Sequence, residues 1–286
     1  MLWIFDQVLL TSTTIKSKVC LHMGAIDLSK IKSPEELERI AKKDLEGKTL
    51  QQIMASITSI DSSTRVSTKA GVGYVVEEGY FGIGKNSAAA PDIAHLGVEV
   101  KTSPLKIGKD GKLRVKEPLS LNIINYNEEH KNTSIKDSSL YRKNKKVLFI
   151  WYIHNPESLR SEYLIKYVFL WDMDNSVLAE LDADYQAILE KIRAGEAHHI
   201  HQGQHRYLTL CPKHNGTFKD PNERTSKTTQ PFSKSPAEVR AFRLKNSYMN
   251  IVIRRYLTKF HPNFLSEFVG EKSTVSSSLR KNLKKV

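Results

Sequence analysis

Pro91-Asp92-Ile93-Ala94-His95-Leu96-Gly97-Val98-Glu99-Val100-Lys101 places two carboxylates and a lysine around a turn and the start of a strand. Apolar and polar residues alternate from Leu96 to Pro104, the pattern of a half-buried strand. Side chains two apart on a strand share a face. Glu99 and Lys101 therefore point one way, and Val98 and Val100 point the other. Asp92 lies at the turn before the strand and can fold back toward Glu99. Two carboxylates held that close repel one another, and a hard divalent cation relieves the repulsion. Mg²⁺ suits this donor set, since it takes one or two carboxylates together with water and phosphate oxygens; Mn²⁺ is an expected substitute. Bound there, such an ion lowers the pKa of a water, polarises a phosphate and orients both. Lys101 then has two open roles: orienting or deprotonating the attacking water, or stabilising the charge that builds on the phosphate. The spacing alone is a weak signal, because a strand edge carrying a solvated Glu–Lys pair has the same letters.

Working outward, Ser33-Pro34-Glu35-Glu36 reads as a helix opening, with Ser33 as cap and Glu36 closing a capping box. Leu37, Ile40, Ala41 and Leu45 continue at helical spacing to Gly47. A second helix runs through Leu50, Ile53, Met54 and Ile57, and Tyr74 to Phe81 reads as a short helix between glycines. After the Leu96–Pro104 strand, Leu119 to Tyr126, Val147 to Ile153 and Tyr163 to Met173 are rich in β-branched and aromatic residues and read as strands. Val177 to Ala194 has helical periodicity. Tyr207 to Leu210 is ordered, Cys211 to Pro236 reads as a long surface loop, and Ala237 to Phe260 ends in a basic helix. The expected architecture is α/β: a mixed central sheet flanked by helices, followed by a basic C-terminal portion.

The chain has 286 residues and a formal charge of +13. Between Arg206 and Val286 there are 17 Lys/Arg against 5 Asp/Glu, so the last third carries nearly all of the excess. Nucleic acid is the first candidate for a polyanionic partner and an anionic membrane surface the second. Aromatics at Phe232, Phe242, Tyr248 and Tyr256 interleave with the basic residues, which reads as a folded surface. The two cysteines, Cys20 and Cys211, form no CxxC pair, so neither a zinc ribbon nor a disulfide scaffold is indicated, and a reducing cytoplasm is the expected compartment. No apolar run is long enough to span a bilayer. The first 22 residues lack the marks of a signal peptide. They read as an extension, with Met23 a more natural start than Met1. The expected division is an extension over 1–22, one folded domain over 23–265 and a basic tail over 266–286. His198, His199, His201 and His205 lie close together, but their spacing fits no common closed zinc site, so a polar loop is the better reading.

The catalytic stretch also resembles that of MutH and of the Sau-type GATC restriction endonucleases, both of the PD-(D/E)xK nuclease superfamily. Three further blocks match in order: Val75 to Gly82 (VVEEGYFG), Pro118 to Tyr126 (PLSLNIINY) and Gln230 to Tyr256 with its inner FRLKNSYM. The resemblance runs from about Ile31 to Phe260 and is nearer to the catalytic N-terminal half of the Sau-type enzymes than to MutH. It implies a MutH-like fold and Mg²⁺-dependent hydrolysis of double-stranded DNA at GATC. It implies Asp92 and Glu99 as metal ligands, Lys101 as catalytic lysine, Glu78 as an additional active-site glutamate with the adjacent Glu77 as the alternative, and Lys143 as a further active-site lysine or a phosphate contact. Where MutH carries Arg-Pro-Lys in a DNA-reading loop, this chain has Cys211-Pro212-Lys213. Where MutH has Phe-Tyr-Leu-Lys, Arg243 replaces the tyrosine between Phe242 and Leu244, ahead of Lys245. Lys213, Arg243 and Lys245 are the expected DNA contacts, to bases or to phosphates. Two other functions stand beside restriction cleavage: MutH-like nicking in mismatch repair, and a non-catalytic DNA-binding module. One metal site and a palindromic target lead to the expectation of a monomer that pairs only on DNA.

Overall fold

A computed structural model describes residues 25–57, 71–84, 90–213 and 226–268; the expectations for the N-terminal extension, for both start codons, for Cys20, for residues 214–225 of the loop and for 269–286 of the tail lie outside these residues. In chain order the elements are α1 (Pro34–Leu45), α2 (Leu50–Ala55), α3 (Gly71–Gly73) running directly into a π-helix (Tyr74–Tyr80), β1 (Glu99–Ile107), β2 (Leu113–Val115), β3 (Leu119–Ile123), α4 (Tyr126–Glu129), α5 (Ser139–Asn144), β4 (Lys146–Ile153), β5 (Ile165–Asp172), α6 (Asn175–Arg193), β6 (Leu208–Pro212), β7 (Lys227–Gln230), β8 (Ser233–Glu238), β9 (Arg240–Leu244) and α7 (Asn246–Phe260). Ser33 caps as expected, its hydroxyl accepting from the Glu36 amide, but Glu36 closes no capping box, since its Oε2 accepts from the Lys32 amide.

The central sheet is mixed and ordered β2-β1-β4-β5, with β1 and β4 parallel and the outer pairs antiparallel. β4 is buried on both faces, which is why it reads as an unbroken apolar run. Its alternate residues enter two different cores. Leu148 and Ile150 join Val98, Val100, Ile165 and Val168 beneath α1, α2 and the π-helix. Val147, Phe149 and Trp151 join Phe169 and Trp171 beneath α6 and α7. The chain is therefore a mixed α/β structure, a mixed central sheet flanked by helices, as the sequence predicts. A second sheet, β3-β9-β6, joins the segment after β2 to the C-terminal region.

Two further expectations need correction. The stretch from Cys211 to Pro236 is not all loop: β6 runs on to Pro212, and β7 and most of β8 form a hairpin within it. Its residues alternate weakly and are mostly exposed, so no apolar period marks it. Of the four aromatics read as surface, Phe242, Tyr248 and Tyr256 lie in the core, and only Phe232 is exposed.

One buried carboxylate ties the two sheets' helical support together. Asp184, on α6, accepts hydrogen bonds from the amides of Arg206, Tyr207 and Leu208 at 2.7, 2.6 and 2.8 Å. These amides lead into β6. Asp184→Ala strands them, and is expected to lower unfolding stability by about 2–3 kcal/mol, with Asp184→Asn losing less. Denaturant midpoints compare the three proteins; equal midpoints would show that water satisfies these amides.

Candidate active site

The turn ahead of β1 brings the carboxylates together. Gly97 closes it at φ 65, in the left-handed region that glycine occupies without steric cost. Ile93 and Val98 pair across it as an isolated bridge. The Asp92 amide donates to Glu99 Oε2 at 3.1 Å, and the Val100 amide donates to Asp92 Oδ2 at 3.1 Å. Glu99 is thus held by the backbone of Asp92, and Asp92 by that of Val100, the residue after Glu99.

Two lysines complete the group. Lys101 Nζ lies 2.5 Å from Glu99 Oε1, on the face opposite Val98 and Val100. Lys143, on α5, reaches in from the far side: its Nζ donates to the Ala90 carbonyl at 2.9 Å and lies 3.3 Å from Glu99 Oε2 and 4.0 Å from Asp92 Oδ1. Glu99 is fully buried. Burial pushes its carboxyl up, Lys101 pulls it down by charge and hydrogen bond, Asp92 pushes it up and Lys143 pulls it down.

Of the two adjacent glutamates on the π-helix, Glu77 lines the cleft with Asp92, Glu99, Lys101 and Lys143, whereas Glu78 is not among the lining residues. Burial, together with the charges of Asp92, Glu99 and Glu78, pushes Glu77 up to about 7 against the pull of Lys101. Of the two, Glu77 is the one that shares the cleft with Asp92 and Glu99. An acid whose pKa is higher folded than unfolded holds its proton more tightly when folded. The stability that this proton confers is full below the unfolded value near 4.5 and is lost as pH rises through about 7. In metal-free protein, the Glu77 contribution is expected to fall by about 2 kcal/mol between pH 5 and pH 8. Glu77→Gln should remove that part of the slope; an unchanged slope would place the titration elsewhere.

All of these groups open into a cleft of ≈770 Å³ whose far wall is formed by residues of β3, α4 and α5 and by Lys213. Lys213 is the one expected DNA contact on this wall. Arg243 pairs in register with Ser120 and Thr209 on β9 and is not a lining residue. Lys245 caps α7 and donates to the His205 carbonyl, so it is committed in part to holding the fold. Glu128, Lys131 and Arg142 also line the cleft; Glu128 and Arg142 stand on α4 and α5, helices too short for a period in the sequence to mark them.

The donors available to a cation are carboxylate oxygens, which suit a hard divalent ion. Among the described residues no group of three or more ligands is gathered tightly enough to hold a metal alone. The pair Asp92 and Glu99 meets the smaller requirement of Mg²⁺, with water and phosphate supplying the rest. The histidines are engaged elsewhere: His198 contacts Gln230 at 2.8 Å and buried His205 contacts Thr209 at 3.3 Å. Among the described residues no helix is long and apolar enough to cross a membrane.

The family model described as DNA mismatch repair enzyme MutH matches residues 81–184, a span that contains Asp92, Glu99, Lys101 and Lys143. The type II restriction enzyme Sau3AI of Staphylococcus aureus is 30% identical over 221 residues, covering 76% of this chain and 43% of that enzyme. The DNA mismatch repair protein MutH of Shewanella woodyi is 26% identical over 185 residues, covering 63% of this chain and 77% of that protein. The chain thus spans less than half the length of the restriction enzyme it matches.

Proposed function

This chain belongs to the MutH and Sau-type endonuclease family, and from that premise we propose that it hydrolyses DNA phosphodiester bonds at GATC sites, with Mg²⁺, in a restriction role. The observation that carries the reading is the convergence of Asp92, Glu99, Lys101 and Lys143 at one end of a cleft that extends to Lys213.

Asp92 and Glu99 would hold the metal, which supplies an activated water and a polarised phosphate. Glu77, the third carboxylate in the cleft, orients that water by hydrogen bonding. Lys101 lies on the same strand face as Glu99 and, as an ammonium, orients the attacking oxygen. Lys143, across the cleft, offsets the negative charge that accumulates on the phosphate oxygens. Lys213 contacts the duplex at the opposite wall. The chain acts as a monomer in free solution and pairs on the two-fold axis of its palindromic site.

The test is to incubate the purified chain with plasmid and Mg²⁺. The expected result is a banding pattern that follows the GATC map, with nicked circles preceding linear product. Fragments unrelated to that map would overturn the specificity, and intact plasmid would overturn the activity. A second reading, MutH-like nicking, is favoured by one observation: the alignment covers 77% of the MutH relative but 43% of the restriction enzyme. Nicked circles that never become linear would select it. Intact plasmid that is nonetheless retarded in a gel would select a DNA-binding module.

A further inference from the structure

The same cleft is lined by another buried carboxylate, Glu129, the last residue of α4 and 1% exposed. Burying a carboxylate is costly unless its oxygens are hydrogen-bonded. Glu129 Oε1 accepts from the Tyr185 hydroxyl at 2.9 Å, and Oε2 accepts from the Ser139 hydroxyl at 2.9 Å. The chain of bonds continues. Ser139 Oγ accepts from Asn122 Nδ2 at 3.0 Å, and Asn122 Oδ1 accepts from Asn144 Nδ2 at 3.1 Å. The same Asn144 nitrogen donates to the Leu140 carbonyl at 2.9 Å.

The path of this network is informative. It starts on α6 at Tyr185, passes through α4 at Glu129, and meets α5 at its first residue, Ser139. It then crosses to β3 at Asn122 and returns to α5 at its last residue, Asn144. α5 has only six residues, and a helix of that length has little stability of its own. Its orientation is therefore set by what grips its ends. Lys143 sits immediately before the gripped Asn144. Successive residues of a helix are about 100° apart around its axis, so a small rotation of α5 would swing the Lys143 ammonium away from Glu99.

We propose that Glu129 is a positioning residue for cleavage: acting through Ser139, Asn122 and Asn144, it fixes α5 at both ends and thereby holds Lys143 over Asp92 and Glu99. The proposal rests on the nuclease reading above for its effect on rate. It rests on geometry alone for its effect on Lys143. A carboxylate suits the position because it is acceptor-only and receives two hydroxyl protons at once. A glutamine there turns a donor toward one of them.

Two measurements test it. In the first, Glu129→Ala, Lys143→Ala and the double variant are compared at saturating DNA and Mg²⁺. Glu129→Ala is expected to lower kcat by about 10- to 100-fold, the loss typical of a reacting group displaced by roughly 1 Å, with little change in KM. In the Lys143→Ala background it should lower kcat no further, while still lowering the melting temperature by the same amount. Equal rate losses in both backgrounds, or an unchanged kcat in a folded Glu129→Ala protein, would overturn the proposal.

The second measurement needs no catalysis. Acetylation of Lys143 by acetic anhydride in metal-free protein is followed by peptide mass spectrometry, with Lys259 as an internal reference. Glu129→Ala, or Glu129→Gln and Ser139→Ala where the alanine variant does not fold, should increase the relative labelling of Lys143 several-fold. Unchanged labelling would overturn the positioning role even in an active enzyme. Increased labelling in a chain that cuts no DNA would leave it standing and remove the nuclease reading instead.

Discussion

Lys101→Ala is expected to reduce single-turnover DNA cleavage by about 10³-fold while leaving DNA affinity and melting temperature nearly unchanged. The size of the loss follows from how the two lysines divide the site. Lys101 takes Glu99 Oε1 and Lys143 takes Glu99 Oε2, so neither ammonium is placed to do the other's work. The small effect on folding follows from the strand's alternation. Val98 and Val100 anchor β1 in the core beneath α1 and α2, while Lys101 points into the cleft. Glu99→Gln should cost as much rate but also some stability, because Glu99 is fully buried and accepts from the Asp92 amide. The two glutamates of the π-helix supply an internal control. Glu77→Ala is expected to fall with Lys101→Ala, and Glu78→Ala to stay within a few-fold of the parent, an estimate for a group outside the reacting geometry. A Lys101→Ala protein that cut at a tenth of the parent rate or better would remove this lysine from the chemistry.

What was legible in the sequence was whatever obeyed a period. The alternation in Val98-Glu99-Val100-Lys101 separated the core face from the cleft face, and the unbroken apolar run of β4 marked a strand buried on both sides. Ser33 and Glu36 marked a helix start because capping is local chemistry. The rest depended on geometry that spacing does not carry. α5 is too short to show a period, so nothing in the sequence marks Leu140, Lys143 and Asn144 as buried. Glu128 and Glu129 look alike in sequence, yet one is half-exposed and paired with Lys131 while the other is the buried centre of a network. Glu77 and Glu78 are adjacent and alike in sequence, and the resemblance alone favoured Glu78; which of them faces the cleft depends on the π-helix that carries both.

The same acidic convergence that locates the site also predicts how completely cleavage depends on a cation. Chelation by EDTA is expected to abolish cutting to below detection, and added Mg²⁺ or Mn²⁺ to restore it. Asp92, Glu99 and Glu77 face one cleft, and Glu77, pushed up to about 7 chiefly by burial, is raised further by the charges of Asp92 and Glu99. Lys101 and Lys143 offset part of this charge, but both are already drawn onto Glu99. A DNA phosphate brought up to Asp92 and Glu99 is repelled by their charge, and without a divalent cation the lysines compensate only part of that repulsion. Ca²⁺ takes the same oxygen donors with longer, more flexible coordination, so it should support DNA binding better than it supports cutting. Binding measured by fluorescence anisotropy in Ca²⁺, beside a cleavage time course in Mg²⁺, Ca²⁺ and EDTA, separates the two effects. Cutting that persists in EDTA would mean that Asp92 and Glu99 serve the fold of the turn, through their bonds to the Val100 and Asp92 amides, and not the chemistry.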